Sequence, residues 1–210
     1  MKKIMFNDKY GLTQAVLEGR KTQTRRIADT AGRLEGLTVR QDLGGVNKGR
    51  VCLFDNGIIL TQSAYKLSET IAIAQKYEDL KKNDEFLCLC GKNGMSLGRI
   101  IYEEGCFNKM FVRAVLMPHH IRITNIRVER MQDISEADCL KEGIKEIYER
   151  GTDDPSEFYG YAYLPDATPC VDETYNYPQE AYASLIDRIS GKGTWESNPY
   201  VFVYDFELID

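Results

Sequence analysis

A long alternating segment constrains the fold more than any other feature of this sequence. From Ile121 to Arg130, apolar and polar residues alternate over ten positions, with one extra polar residue at Thr124-Asn125. Successive side chains of a β-strand point to opposite faces of its sheet, so the pattern predicts a long strand with one buried face. Tyr200 to Leu208, in which apolar and polar residues alternate after Tyr204, predicts a final strand. The chain therefore needs at least one sheet with a core against it.

Shorter apolar runs predict additional strands. Val51 to Phe54 and Ile58 to Leu60 flank the sequence Asp55-Asn56-Gly57, which is typical of a hairpin turn. Four other runs predict short strands: Thr70 to Ala74, Phe86 to Cys90, Arg99 to Tyr102 and Met110 to Val115.

Three helices are predicted between and after these strands. Thr13 to Gly19 predicts the first, because Gly19 suits the left-handed position after a helix. Ser135 is placed to cap a second helix that ends at Gly143, and Pro178 to Ile189 predicts a third. Many short strands with few helices favour an α+β fold or a β-barrel over repeated βαβ units. The sequence has neither a P-loop nor a G-x-G-x-x-G motif.

Length and hydropathy exclude several classes of protein. The 210 residues suit one elaborated domain. No run approaches the roughly 18 to 20 apolar residues of a membrane span. Residues 1–6 contain two lysines without a long apolar stretch after them, which is unlike a signal peptide. We therefore expect a cytoplasmic protein without membrane partners.

Cysteine and histidine usage gives no sign of a metal or a cofactor. Cys88 and Cys90 form a C-x-C pair, but the sequence has no C-x-x-C pairs at matching distances. The two histidines, His119 and His120, are adjacent. We expect the six cysteines to be reduced and structural, and we expect neither a metal nor a cofactor.

Charge is distributed unevenly along the chain. Residues 1–50 contain eleven Lys or Arg and five Asp or Glu, whereas the remainder contains sixteen and twenty-seven. This distribution excludes a uniformly basic nucleic-acid-binding protein. A local basic surface that attracts phosphates is still compatible with it.

The basic residues are densest between Gly19 and Arg26, in the sequence G-R-K-T-Q-T-R-R. An arginine guanidinium matches a phosphate through two parallel hydrogen bonds, and threonine hydroxyls can complete an anion site. A solvated polar turn after a helix is the alternative. Glu142 is a second unusual residue, because a carboxylate at the end of a helix faces the negative end of the helix dipole. Glu142 either pairs with a lysine in solvent or faces a site that needs a carboxylate.

These residues resemble the ASCH domain family of the PUA-like β-barrels. The correspondence lies in G-R-K-T-x-T-x-R at Gly19–Arg26, in R-I-T-N-I-R-V-E-R-M-Q-D-I-S at Arg122–Ser135 and in W-x-x-N-P at Trp195–Pro199, as in phage- and prophage-borne members. The resemblance implies a single α+β domain over residues 1–210. It further implies a PUA-like barrel with a few short helices and insertions at 78–110 and 146–179.

The resemblance also implies a ligand and a set of site residues. A bacterial branch of the family hydrolyses modified cytidine with a lysine, a threonine and a glutamate, which correspond here to Lys21, Thr24 and Glu142. A threonine hydroxyl becomes nucleophilic when a base removes its proton, and a desolvated lysine can be that base. In a regular strand, however, Lys21 and Thr24 point to opposite faces. The catalytic interpretation therefore requires the chain to bend near Thr22 and Gln23.

Three functions remain open at this point. The first is binding of RNA, a nucleotide or a modified nucleoside in a cleft lined by Gly19–Arg26. The second is an amidohydrolase acting on an N-acylated cytidine-like nucleoside, and the third is a phage or mobile-element accessory protein that binds a protein partner. The residues expected to bind the ligand are Arg20, Thr22, Arg25, Arg26 and Trp195, the last of which is alternatively a core anchor.

Overall fold

The structure is a computed structural model that describes residues 1–30, 32, 35–41, 44–148, 158–163 and 174–209. Its strands are β1 Lys3–Ile4, β2 Gln23–Ile27, β3 Thr38–Gln41, β4 Val51–Asp55, β5 Ile58–Gln62, β6 Thr70–Ile73, β7 His120–Arg130, β8 Lys145–Tyr148, β9 Phe158–Ala162 and β10 Tyr200–Leu208. Its α-helices are α1 Leu12–Leu17, α2 Tyr77–Leu80, α3 Asp84–Lys92, α4 Leu97–Ile100, α5 Glu136–Lys141 and α6 Pro178–Ser190. Short 3-10 helices connect several of them.

A mixed five-stranded sheet in the order β1-β6-β7-β10-β2 forms the main body of the protein. β1 and β6 are parallel, and the other neighbours are antiparallel. The two alternating segments are confirmed as β7 and β10, which pair along their length. On β7, Ile121, Ile123 and Ile126 are buried in the main core. The strands predicted by alternation are therefore the strands that carry the sheet.

A three-stranded sheet, β3-β4-β5, packs against the main core. The predicted hairpin is confirmed, with Asn56 and Gly57 at φ 48° and 82° in its turn. Val51 and Leu53 on β4 are buried in the same core as β7 and β10. The protein is thus an α+β fold with mixed and antiparallel sheets and short helices. Within the described residues, β1 and β2 are free edges of the five-stranded sheet, and no closed barrel forms.

Residues 77–117 form a second, smaller core. The prediction of a strand from Phe86 to Cys90 is wrong, because this segment lies within helix α3. Asn83 caps the helix, and its side-chain oxygen accepts a hydrogen bond from the Phe86 amide at 2.8 Å. Phe86 and Cys90 are buried four residues apart, which is helical and not strand spacing. Arg99 to Tyr102 and Met110 to Val115 also contain helical turns instead of strands.

The second predicted insertion, 146–179, is described in part. β8 and β9 form a two-stranded sheet, and Tyr161 makes a further bridge with Tyr175. Residues 149–157 and 164–173 lie outside the described residues. That both segments are insertions stays a prediction.

The three predicted helices are confirmed. Gly19 has φ 73° after the end of α1, and the Ser135 hydroxyl accepts a hydrogen bond from the Asp138 amide at the start of α5. α6 runs one residue beyond its predicted end. Among the described residues, no helix has the length and apolar character needed to cross a membrane. The described cysteines are unpaired thiols, and the sixth, Cys170, lies outside the described residues.

Candidate functional site

A cavity of about 660 Å³ lies between β2, α6 and the segment that follows β1. Its volume is in the range that binds small molecules. Lys21, Thr24 and Glu142, the three candidate catalytic residues, all line it. The condition set by the sequence, that they converge on one cleft, is therefore met.

Lys21 and Glu142 form a buried ion pair at the inner end of the cavity. The Lys21 Nζ donates to a Glu142 carboxylate oxygen at 2.5 Å and to the Glu142 backbone carbonyl at 2.8 Å. The two side chains are only 2% and 6% exposed. Burial lowers the pKa of Lys21, although the neighbouring Glu142 carboxylate opposes this effect. A lysine in this environment loses its proton more readily than a lysine in water.

The backbone between α1 and β2 explains how Lys21 and Thr24 reach the same cavity. The Lys21 amide donates to the Ala15 carbonyl at 2.9 Å, and the Thr22 amide donates to the Lys141 carbonyl at 2.9 Å. These bonds tie residues 21 and 22 to the ends of two helices, so the regular strand begins only at Gln23. Lys21 lies before the regular strand, so the alternation of β2 does not fix the direction of its side chain, and the bend near Thr22 and Gln23 stays a prediction.

Gly143 allows α5 to end close to Lys21. Its φ is 104°, a conformation that residues with a side chain rarely adopt. A Cβ at this position would lie 3.4 Å from a methyl carbon of Leu12 and 3.7 Å from the Lys21 Cβ. Glycine at this position thus allows the chain to turn after Glu142, and it allows the residues around the ion pair to pack closely.

The free edge of β2 borders the cavity. Thr24, Arg25, Arg26 and Ile27 line it consecutively. Neighbouring side chains of a strand point to opposite faces, so consecutive lining places the strand's edge, and not one face, along the cavity. The opposite edge of β2 pairs with β10.

Arg25 joins the cavity to a network of ion pairs. Its guanidinium contacts the carboxylates of Glu129 at 2.5 Å, Asp138 at 3.2 Å and Glu142 at 3.2 Å. Arg127 reaches Asp138 at 2.5 Å and Glu129 at 3.0 Å, and it also pairs with Asp205. Burial opposes the charge of Arg25, but the carboxylates of Glu142 and Glu129 raise its pKa above the ordinary value. Arg25 is therefore a fixed cation that orients Glu142 from the side opposite Lys21.

Asp138, on α5, is a carboxylate that both Arg25 and Arg127 contact. Burial disfavours its charged form, but a hydrogen bond with Lys141 and the charges of Arg127 and Arg25 lower its pKa overall. The carboxylate therefore stays ionised where it holds the two arginines.

Three of the expected binding residues lie elsewhere. Arg20 is a surface residue that pairs with Glu18 at 2.6 Å. Thr22 and Trp195 do not line the cavity. Trp195 packs on the main core, with its ring edge-to-face against Tyr182 at 6.1 Å, as expected of a core anchor. A contact of these three residues with ligand stays a prediction.

Reasoning from the sequence missed two sets of cavity residues. α6 contributes Tyr182 and a row of aliphatic side chains, whose helical spacing in the sequence does not distinguish a cavity wall from a core. Lys76 and Lys109 come from the segment after β6, and their neighbours in the sequence gave no signal of a site. Within the described residues, no cluster of His, Cys, Asp and Glu suitable for a metal ion occurs.

Comparisons with known proteins give no assignment for this arrangement. No family model matches the chain, and no curated protein or solved structure is significantly similar to it.

Proposed function

We propose that the protein is an amidohydrolase acting on an N-acylated cytidine-like nucleoside. The observation that carries the proposal is the convergence of Lys21, Thr24 and Glu142 on one cavity of small-molecule size. Glu142 holds the Lys21 Nζ at 2.5 Å, and Arg25 holds the second carboxylate oxygen of Glu142. A base, a hydroxyl and an oriented carboxylate are the groups that amide hydrolysis by a threonine nucleophile requires.

The reaction proceeds through an ester on Thr24. Neutral Lys21 accepts the Thr24 hydroxyl proton as the oxygen adds to the acyl carbonyl carbon. The carbon–nitrogen bond then breaks, and the proton passes to the exocyclic nitrogen of the cytosine ring. The nucleoside leaves with this nitrogen as a free amine. Water next adds to the ester, giving the carboxylic acid and the free hydroxyl of Thr24. Glu142 positions Lys21 and relays a proton to the leaving nitrogen.

The free edge of β2 supplies backbone amides and carbonyls that can form hydrogen bonds with the nucleobase of the substrate. The Phe206 amide donates to the Thr22 carbonyl, and the Ala28 amide donates to the Tyr200 carbonyl. In an antiparallel pair these bonds recur at alternate residues, so the amides and carbonyls of Arg25 and Ile27 point away from β10. Such donors and acceptors match the polar edge of a pyrimidine.

A PUA-like barrel remains part of this proposal. Its support is that β4 of the three-stranded sheet and β7 and β10 of the five-stranded sheet bury their side chains in one core. Two sheets that share a core in this way are what a small barrel would contain.

Turnover of N4-acetylcytidine tests the proposal directly. We expect the wild type to release cytidine and acetate, measured by chromatography, and Lys21→Ala and Thr24→Ala to lower kcat/KM by at least about a hundredfold. Thr24→Ser retains a hydroxyl and should keep much of the activity. Lys92→Ala removes an equivalent charge from the exposed end of α3 and should leave the rate unchanged.

The pH profile provides a second readout of the same mechanism. Because neutral Lys21 is the base, kcat/KM should rise with pH through an apparent pKa below the usual range of lysine. Absence of turnover by the wild type would remove this substrate, and full activity of Lys21→Ala would remove the mechanism.

Binding of a nucleotide or RNA without turnover is a second candidate, favoured by the cations around the cavity. Lys9, Arg26 and Lys76 line it, and among the described residues no carboxylate forms an ion pair with any of them. Lys109 also lines it, paired with Asp8 at 2.7 Å. A titration of labelled RNA at two salt concentrations tests this candidate. Affinity that depends neither on salt nor on Arg26→Ala would exclude a phosphate contact here. Binding of a protein partner stays a prediction.

A further inference from the structure

One face of α6 forms a wall of the cavity. Tyr182, Leu185, Ile186 and Ile189 lie at positions i, i+3, i+4 and i+7 of the helix, and all four line the cavity. Their exposure rises along the helix, from 1% and 2% to 8% and 37%. The wall thus begins deep in the protein with a phenol and runs to the surface as a strip of aliphatic side chains.

The hydroxyl of Tyr182 has no hydrogen-bond partner among the described residues, although it is buried. A buried polar atom without a partner is unfavourable, so it calls for an explanation, and a ligand group that accepts its hydrogen bond is one. The Tyr182 ring lies 5.9 Å from the guanidinium carbon of Arg25, which places it beside Glu142 and the ion-pair network. Burial and the negative charge of Glu142 raise the pKa of Tyr182, so the phenol keeps its proton and can donate it.

Tyr77 provides the contrast. It is equally buried, but its hydroxyl accepts a hydrogen bond from the Arg113 amide at 2.8 Å. Its ring stacks on Phe86 in the second core, and it does not line the cavity. Of these two buried phenols, the one that borders the cavity is the one whose hydroxyl is free.

We propose that the α6 face is an acyl subsite, in which the Tyr182 hydroxyl donates to the acyl carbonyl oxygen and Leu185, Ile186 and Ile189 contact the acyl chain. The inference rests on the proposed function and extends it to a substrate class: nucleosides with an apolar acyl group longer than acetyl. The carbonyl lies at the inner end, near Lys21 and Glu142, and the chain extends along the aliphatic strip towards the surface. A hydrogen bond from Tyr182 would also stabilise the oxyanion that forms when Thr24 adds to the carbonyl.

Calorimetric binding of three ligands tests the subsite separately from catalysis. Cytidine, N4-acetylcytidine and N4-hexanoylcytidine are titrated into the Thr24→Ala protein, which prevents turnover during the measurement. We expect affinity to increase in that order, by up to about fourfold for each methylene that becomes buried. Ile189→Gln should reduce the gain from acetyl to hexanoyl while leaving acetyl binding unchanged. Equal affinities for all three ligands would overturn the acyl subsite.

A pair of phenylalanine variants tests the hydrogen bond. Tyr182→Phe, in the same background, should weaken binding of both acylated ligands roughly threefold to tenfold but leave the Tm unchanged or slightly raised, because no protein hydrogen bond is lost. Tyr77→Phe should lower the Tm by roughly 2–6 °C and leave binding unchanged. Unchanged acyl-ligand affinity in Tyr182→Phe would overturn the assignment of the donor.

The same measurements separate this inference from the proposed function. Chain-length-dependent binding that depends on Tyr182, together with no turnover by the wild type, would refute the amidohydrolase and support the subsite. Turnover that depends on Lys21, with equal rates and affinities for acetyl and hexanoyl ligands, would support the amidohydrolase and refute the subsite.

Discussion

The two sides of β2 use positive charge in opposite ways. On the side towards α5, Arg25 is fully buried, and its guanidinium is shared by the carboxylates of Glu129, Asp138 and Glu142. On the other side, Arg26 is exposed where it lines the cavity, and its guanidinium donates to the Met5 carbonyl at 2.7 Å. Adjacent residues of one basic motif thus have different environments. The first holds the fold and orients Glu142, while the second is available to a ligand.

This difference shows that a cluster of cations in a sequence is not one functional unit. Arg20 forms an ion pair with Glu18 at the surface, and Lys21 forms one with Glu142 inside the cavity. Arg25 belongs to the network of buried ion pairs on the side of α5. Arg26 lines the cavity, and none of the described carboxylates forms an ion pair with it. The alternation of the strand separates Arg25 from Arg26, and Lys21 lies apart from both because it precedes β2.

Arg25→Met should have the largest effect on stability. It leaves three carboxylates without their shared cation, and breaking a buried ion pair in this way costs about 3–5 kcal/mol. Urea denaturation measures the change in the free energy of unfolding. Arg26→Met is the matched control and should change that free energy by less than about 1 kcal/mol. Equal losses in the two variants would abolish the contrast between the two sides of β2.

Asp138 should give the network a dependence on acidic pH. Its pKa is lower in the folded protein than its ordinary value of 3.8. Its contribution is therefore complete above the unfolded value and is lost as pH falls through the folded value. Asp138→Asn should cost about 1–3 kcal/mol at neutral pH and make unfolding less sensitive to pH below about 4. A wild type and variant with parallel pH curves would argue against an ionised Asp138.

Gly143→Ala, beside the ion pair between Lys21 and Glu142, should have an intermediate effect on stability. A residue with a Cβ is strained at φ 104°, and the added carbon would contact Leu12 and Lys21. We expect a loss of about 1–3 kcal/mol, measured by thermal unfolding. Gly191→Ala, at φ 109° but without atoms within 4 Å of its Cβ, is the control and should lose less. Equal losses would show that backbone strain alone, and not contact with the Lys21 stem, determines the effect.

Arg20→Ala should have the smallest effect. Its ion pair with Glu18 is solvent-exposed, so the free energy of unfolding should change by less than about 1 kcal/mol. If a ligand phosphate instead binds Arg20, the substitution will weaken binding in a salt-dependent way without changing stability. Measuring both quantities on the same preparation decides between these roles.

Patterns that persist over many residues of the sequence predicted the structure well. The patterns of β7 and β10 extend over most of each strand, so they identified both strands. They identified a buried face only for β7, because Val201 to Tyr204 of β10 are buried consecutively and both faces of that strand are covered. Phe86 to Cys90 is too short for the strand and helix periods to be told apart, and the helix was set by the Asn83 cap before it. Local cues decided this segment, and a reading of hydrophobicity alone missed them.

The candidate site was predictable in part for a similar reason. Lys21, Thr24 and Glu142 were recognisable from a motif and from a carboxylate placed against a helix dipole. Tyr182 was not, because its spacing on α6 is that of a core residue. Only the three-dimensional structure shows that its hydroxyl has no hydrogen-bond partner in the part of the chain that is described. The positions of Lys76 and Lys109 at the cavity likewise could not be predicted, because they depend on how the segment after β6 folds back onto the main sheet.

The ion pair between Lys21 and Glu142 joins residues 121 positions apart. Contacts of such separation form only after a large loss of chain entropy, so they slow folding. The first fifty residues emerge from the ribosome with Lys21 and Thr24 already made, but their partners on α5, α6 and β10 follow much later. Ligand binding should consequently return late during refolding, after the fluorescence change that reports burial of Trp195. The cavity is thus a property of the finished chain, and no fragment that ends before β10 should possess it.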